Sequence, residues 1–173
     1  MSDLKPIYFK EIQRFNQIWI RIPILLICGF FWYWFIIQIV LKIPFGKEPV
    51  SNVVVIIFLI IFGIGFPFLF LSTNLLIEVR SDALYIRFFP FHVSFKKFPY
   101  EKIKKFKIVT YHPLKDYGGW GIRYGKNGKA YNIRGNRGVQ IEFIDGERIL
   151  IGSQKPEEFV NSLEIVSGKN REI

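Results

Sequence analysis

The sequence predicts a membrane helical hairpin plus a mainly-β domain that ends in one C-terminal amphipathic helix. Three observations predict it. Residues 50–71 (VSNVVVIIFLIIFGIGFPFLFL) carry no charge. At 1.5 Å per helical residue they reach about 33 Å, enough to cross a hydrocarbon core of about 30 Å. Residues 22–41 form a second uncharged run of twenty residues. From Thr73 onward, apolar and polar residues alternate with period two, the pattern of half-buried strands. The predicted division is a cytoplasmic amphipathic lead-in over 1–21, a two-helix hairpin over 22–71 (spans 22–41 and 50–71), and a cytoplasmic β domain over 74–173.

Charge sharpens the division. The chain has 173 residues and a net charge of +10, and residues 72–173 alone carry 18 Lys/Arg against 11 Asp/Glu. A basic domain tethered to a membrane points to anionic lipid head groups, and no nucleic-acid-binding motif accompanies the charge. The lone cysteine, Cys28, lies inside the first apolar run. It excludes an intramolecular disulfide and fits a reducing compartment. Bulky Ile27 before it argues against lipoprotein cleavage, so it reads as lipid-facing or as packing.

In the lead-in, Tyr8, Ile12, Phe15 and Trp19 recur at helical spacing. They predict either an interfacial helix or a cytoplasmic extension of the first membrane helix. Pro44, Gly46 and Pro49 make the connection between the two runs tight, so the helices form an antiparallel hairpin. Gly63, Gly65 and Pro67 favour close packing and a local bend. Gln38 is expected to reach the interface rather than bond across the hairpin. Lys5, Lys10, Arg14 and Arg21 precede the spans and the basic domain follows them, whereas the connecting loop has only Lys42 and Lys47. The positive-inside bias then puts both termini in the cytoplasm.

In the β domain a turn at Ser81-Asp82 sets Val79 against Leu84, Ile77 against Ile86 and Leu75 against Phe88, all on one apolar face. Short strands are expected at 93–98 and 105–111, with a loop from His112 to Gly119. Asn127-Gly128 predicts a two-residue hairpin turn that opposes Tyr124 to Tyr131 and Ile122 to Ile133. Further on, the three-residue loop 144–146 pairs Ile141 with Ile149, Val139 with Ile151 and Glu142 with Arg148, with Gly146 at the left-handed position. Pro156 opens a helix that Gly168 ends, and Phe159, Val160, Leu163 and Val166 form its apolar face. About seven short antiparallel strands and a C-terminal helix give the element order of a pleckstrin-homology-like (PH-like) barrel.

Four segments in order, FKEIQRFNQIW (9–19), RFFPFH (87–92), DYGGWGIR (116–123) and LIGSQKPE (150–157), resemble an uncharacterised family of small prokaryotic membrane proteins. That resemblance implies two membrane helices followed by a PH-like domain, and it implies no reaction and no catalytic residue.

The residues themselves offer little catalysis. His92 and His112 lie in separate loops, and no His/Cys cluster has metal-ligand spacing, so no metal or cofactor is expected. Ser153 lacks the surroundings of a nucleophile elbow. Gly118-Gly119-Trp120-Gly121 precedes a strand, so it reads as a tight turn and not as a phosphate loop. Two basic groups stand out: Lys96, Lys97, Lys102, Lys104, Lys105 and Lys107, and then Arg123, Arg134 and Arg137. Either is a solvated face, a contact for lipid head groups, or, for the arginines, a fork for a carboxylate or phosphate. Only about four residues separate the second span from the first strand, a reach of roughly 14 Å. Lipid attraction therefore survives a Debye length of about 8 Å at physiological salt. The expectation is a non-enzymatic, membrane-anchored binding or scaffold module that meets anionic lipid head groups, a membrane protein or a cytoplasmic protein. The alternative is an accessory subunit of a membrane transporter or enzyme complex.

Overall fold

The computed structural model describes residues 5–172; the first four residues of the lead-in and Ile173 lie outside them. The chain divides into two compact units, one being Phe15–Thr73 and the other the stretches that flank it.

The helical unit holds α1 (Ile18–Val40) and α2 (Asn52–Ser72), both long and apolar enough to cross a membrane. α1 starts four residues before the uncharged run, because Arg21 sits on its first turns without interrupting it. Both helices widen into π-helix, α1 over Ile36–Val40 and α2 over Leu59–Gly65. In α2 the widening has a local cause. Gly63 has no side chain, and its carbonyl accepts hydrogen bonds from Cys28 Sγ at 3.1 Å and Trp32 Nε1 at 3.3 Å. Cys28 is therefore a packing and hydrogen-bonding residue of the hairpin. Next to this contact, the Phe31 ring stacks on Phe62 at 5.0 Å and on Phe58 at 5.8 Å. Gln38 does not reach outward as expected. It is buried, donates to Val50 O at 2.6 Å and accepts from Trp34 Nε1 at 3.0 Å. Burial takes the Gln38 amide out of water, so its hydrogen bonds are made inside the hairpin.

The segment read as helical is a strand, β1 (Ile7–Arg14), with Phe9, Glu11 and Gln13 buried on one face. It pairs antiparallel with β2 (Asn74–Arg80), which pairs with β3 (Ala83–Phe89), which pairs with β4 (Lys96–Pro99). The β2–β3 register is the expected one: Leu75↔Phe88, Ile77↔Ile86, Val79↔Leu84. The second sheet has β5 (Ile103–Thr110), β6 (Gly121–Gly125), β7 (Gly128–Asn132), β8 (Arg137–Phe143) and β9 (Arg148–Gly152), in the order β5-β8-β9-β7-β6. The loop at 112–119 contains a short helix, α3 (Pro113–Tyr117). α4 (Pro156–Ser167) ends at Gly168, whose φ is +66°.

Two expectations change here. The described strands form two sheets with no closed barrel, nine strands rather than about seven, and β7 runs parallel to β9. The Asn-Gly register also shifts, with Gly125↔Gly128, Tyr124↔Lys129 and Ile122↔Tyr131, so the turn is Lys126-Asn127. The cause is close backbone approach. A Cβ on Gly128 would lie 2.1 Å from Arg148 O, and one on Gly125 would lie 2.2 Å from Asp116 O. Glycine is therefore required beside the turn on both strands, and Gly128 keeps a positive φ of +97°. The β8–β9 register is as expected, including Glu142↔Arg148.

α4 packs against β1 and β2 of the first sheet and against β5 and β8 of the second. Phe159 stacks on Phe9 at 5.2 Å. Leu75, Ile77, Val79, Ile103, Phe106, Ile141, Phe159 and Leu163 are buried and join both sheets and the helix in the core.

Candidate functional site

The six lysines are near one another in sequence and are not one surface in space. Lys97 is on the outer face of the first sheet and pairs with Asp82 at 2.8 Å. Lys96, one residue earlier in the strand, has the opposite facing and approaches the Tyr131 hydroxyl at 3.4 Å. Lys102 is exposed in the turn before β5. Lys104 pairs with Glu142 at 2.9 Å, and Lys105 and Lys107 share Glu172 at 2.7 and 3.4 Å. Lys105, Lys107 and Arg148, with Glu142 and Glu172, line a cavity of about 290 Å³. Hydrogen bonds from Lys105 and Lys104 hold Glu172 and Glu142 below the ordinary carboxylate range. The lysine-rich strand therefore presents ion pairs where the sequence suggested bare positive charge.

The three arginines do gather at one end of the second sheet. Arg123 Nε donates to Trp120 O at 3.1 Å, and Trp120 Nε1 donates to Gly135 O at 3.3 Å. Gln154 Nε2 donates to Arg134 O at 3.1 Å, and Arg137 pairs with Glu157. Arg134 Nε is buried without a hydrogen-bond partner.

Two constellations escaped sequence reasoning. The first connects β1 to the β9–α4 turn. Ser153 Oγ donates to Glu11 at 2.5 Å, Gln154 N donates to the other oxygen of Glu11 at 2.8 Å, and Gln13 Nε2 donates to Gly152 O at 2.7 Å. Ser153 is buried and also accepts from Lys155 N at 3.0 Å, so its hydroxyl is a structural hydrogen-bonding group. Around Gly152, Gln13 Oε1 is buried without a partner, and the Asn132 side chain lies beside the Tyr111 hydroxyl.

The second lies on the outer face of the first sheet and alternates cations with rings. Arg80 Cζ is 4.5 Å from the Tyr85 ring centre and 5.2 Å from that of Phe95, and Arg87 is 5.2 Å from Phe95. Lys97 is 5.9 Å from Tyr85. Glu78 is buried beneath, with Arg80 at 2.5 Å and Lys10 at 3.1 Å. Burial raises the Glu78 pKa, yet hydrogen bonds from Arg80 and Lys10 outweigh it and leave the carboxyl below its ordinary value. Asp82 is held down likewise: burial raises it, and hydrogen bonds from Lys5, Lys97 and Tyr85 more than reverse that. The signal was present in the sequence as Glu78, Arg80, Tyr85 and Arg87, the outward positions of a hairpin read only for its inward ones.

A family of unknown function (DUF6141) matches residues 4–169. The chain belongs to that family. No curated protein and no solved structure matches it. The DUF6141 match spans both the helical stretch and the β unit, in agreement with the expectation of an uncharacterised family. Two of the four segments that carried the resemblance, 9–19 and 150–157, meet in the structure through Glu11, Gln13, Gly152, Ser153 and Gln154. Among the described residues, no group of His, Cys, Asp and Glu is placed to hold a metal ion.

Proposed function

We propose that this protein is a non-enzymatic binding or scaffold module, anchored in the cell membrane by α1 and α2, that holds a basic PH-like domain at the inner face. One observation carries the reading. Arg14, the last residue of β1, pairs with Asn74, the first of β2, across the whole helical stretch. A sheet closed in this way keeps both ends of the stretch on one side of any bilayer it crosses, so the helices cross an even number of times. Charge then selects the side, because Lys and Arg crowd the termini and the β unit while the loop between the helices has only Lys42 and Lys47. Strands followed by one C-terminal helix support the PH-like reading, with β1 as an addition ahead of that order. The partner is an anionic lipid surface or a membrane or cytoplasmic protein; no nucleic acid is invoked.

Single cysteines at Asn127 and Glu48, in a Cys28→Ser background, test the arrangement on intact cells with a membrane-impermeant thiol reagent. Position 48 is expected to label and position 127 to be protected. The reverse result removes the orientation. The accessory-subunit reading is favoured by an open recess of about 560 Å³ in the helical unit, where Gln38, Lys42, Ser51 and Asn52 share the lining with Ile39 and Val50. A stoichiometric membrane protein recovered with the full chain in mild detergent would select that reading.

A further inference from the structure

The β3–β4 loop carries an inference about where the domain meets lipid. Arg14↔Asn74 and Asn74↔Phe89 are registered pairs, so the end of β1, the start of β2 and the end of β3 lie side by side at one end of the first sheet. At that end the chain departs toward α1 through the three residues 15–17, and returns from α2 through Thr73 alone. The loop that follows Phe89 rises from this same end. Two of its residues are apolar and open: Phe91 is 66% exposed and Val93 is 80% exposed, more than any other large hydrophobic residue described.

This is not a loose tether with hydrophobic residues by accident. His92 N donates to Phe88 O at 2.7 Å, the Phe91 ring lies 6.1 Å from the Phe88 ring, and the His92 ring lies 5.7 Å from Tyr131. The loop is braced at its base while its apolar side chains point away from the core. Two cations lie on the same sheet: Arg14 is exposed at the end of β1, two strands from Phe89, and Arg87, two residues before Phe89, is half-buried with its guanidinium 5.2 Å from the Phe95 ring. Exposed apolar side chains on a sheet that also presents cations match the boundary between acyl chains and anionic head groups. A second copy of this chain would bring the same cations against themselves, which disfavours it as the occupant.

We propose that the 90–95 loop is a membrane-insertion element. Phe91 and Val93 enter the bilayer that α1 and α2 span, and Arg14 and Arg87 meet anionic head groups; the proposal rests on the membrane-anchored reading above.

The full chain in a Cys28→Ser background, with a single cysteine at 91, 93, 114 or 144 carrying an environment-sensitive fluorophore, is reconstituted in phosphatidylcholine–phosphatidylglycerol vesicles. Leu114, on the short helix α3, and Ile144, between β8 and β9, are each 68% exposed and serve as matched references. Labels at 91 and 93 are expected to shift to the blue and to be quenched by lipids with a shallow spin label, while 114 and 144 stay water-like. Water-like emission at 91 and 93 overturns the insertion and leaves the anchored reading standing. A blue shift without lipid quenching also overturns it, and assigns the loop to a second copy or another protein. Release of the unlabelled full chain from native membranes by alkaline carbonate would remove the anchored reading first, and the insertion with it.

Discussion

The two sheets of the β unit are built from opposite kinds of sequence. The second sheet comes from one continuous stretch, 103–152, and its Lys104, Lys105, Lys107 and Arg148 are matched by Glu142 or Glu172, while Lys129 lies over the Tyr124 and Tyr131 rings. The first sheet takes its edge strand from the far side of two membrane-length helices, and stacks its cations on aromatic rings over a buried glutamate. Counting charges along the chain therefore points at the wrong surface. Six lysines close in sequence are mostly neutralised, while Arg80 and Arg87, never in a run, form the more organised cationic face. Contiguity in sequence made the second sheet readable and also made its lysines look more available than they are.

Loss of β1 costs the first sheet most. A variant whose residues 15–73 are replaced by a short turn joining Arg14 to Asn74 is expected to be soluble and to melt cooperatively by circular dichroism. Residues 74–173 alone are expected not to, because they leave the faces of Leu75, Ile77 and Phe159 without Phe9, Glu11 and Gln13. Equal cooperativity of the two would show that the first sheet does not depend on its borrowed strand.

Next is the contiguous sheet. Gly128→Val places a side chain against the Arg148 backbone at a positive φ, and is expected to destabilise the joined domain by about 3 kcal/mol. Gly146→Ala, at φ +88° with open space around it, is expected to cost about 1 kcal/mol. Urea titration of both variants would expose an error if the two costs were similar.

The cationic faces separate at a smaller scale. Arg80→Gln leaves Glu78 buried with Lys10 as its remaining ion-pair partner, and is expected to cost about 2 kcal/mol. Lys105→Gln removes an exposed pair and is expected to leave the same urea midpoint unchanged.

The smallest effect is a pH dependence. Burial lowers the His92 pKa below 6.5, and the charges of Lys96 and Lys129 lower it further. As pH falls, the unfolded chain takes up this proton before the folded one. The His92 contribution is therefore intact above about pH 6.5 and is lost below it. His92→Gln is expected to flatten thermal stability across pH 5 to 7 by a small amount, and an unchanged slope would count against the half-buried placement of the ring.

What was legible in the sequence follows from which side chains face inward. Leu75, Ile77 and Val79 opposite Phe88, Ile86 and Leu84 are all apolar, so period and register could both be read. The same holds for Val139 and Ile141 against Ile151 and Ile149. β1 hid because two of its three buried residues, Glu11 and Gln13, are polar and bond to residues 152–154, more than 130 positions away. Its outward Tyr8 and Ile12, with Phe15 and Trp19 beyond, then gave a false helical period. The parallel β7–β9 pairing and the shifted Gly125–Gly128 turn depend on Arg148 and Asp116 backbone atoms that no local pattern announces. Of the candidate site residues, the arginines do converge around Trp120 and residues 134–137. The lysines scatter, because adjacent positions on a strand face opposite ways.

The pairing of Arg14 with Asn74 also fixes how the molecule responds to tension. Both helices attach to adjoining ends of two antiparallel strands, so any force that draws their attached ends apart acts on the β1–β2 ladder as an opening zipper. The hydrogen bonds then break in succession, starting at Arg14 and Asn74, and each step meets only the resistance of a few bonds. A pull along the strands would instead load every rung together. Lateral spreading of the helix ends is thus the mechanically soft direction of this protein. The first groups it would disturb in the sheet are Gln13 and then Glu11, through which β1 is fastened to the turn that starts α4.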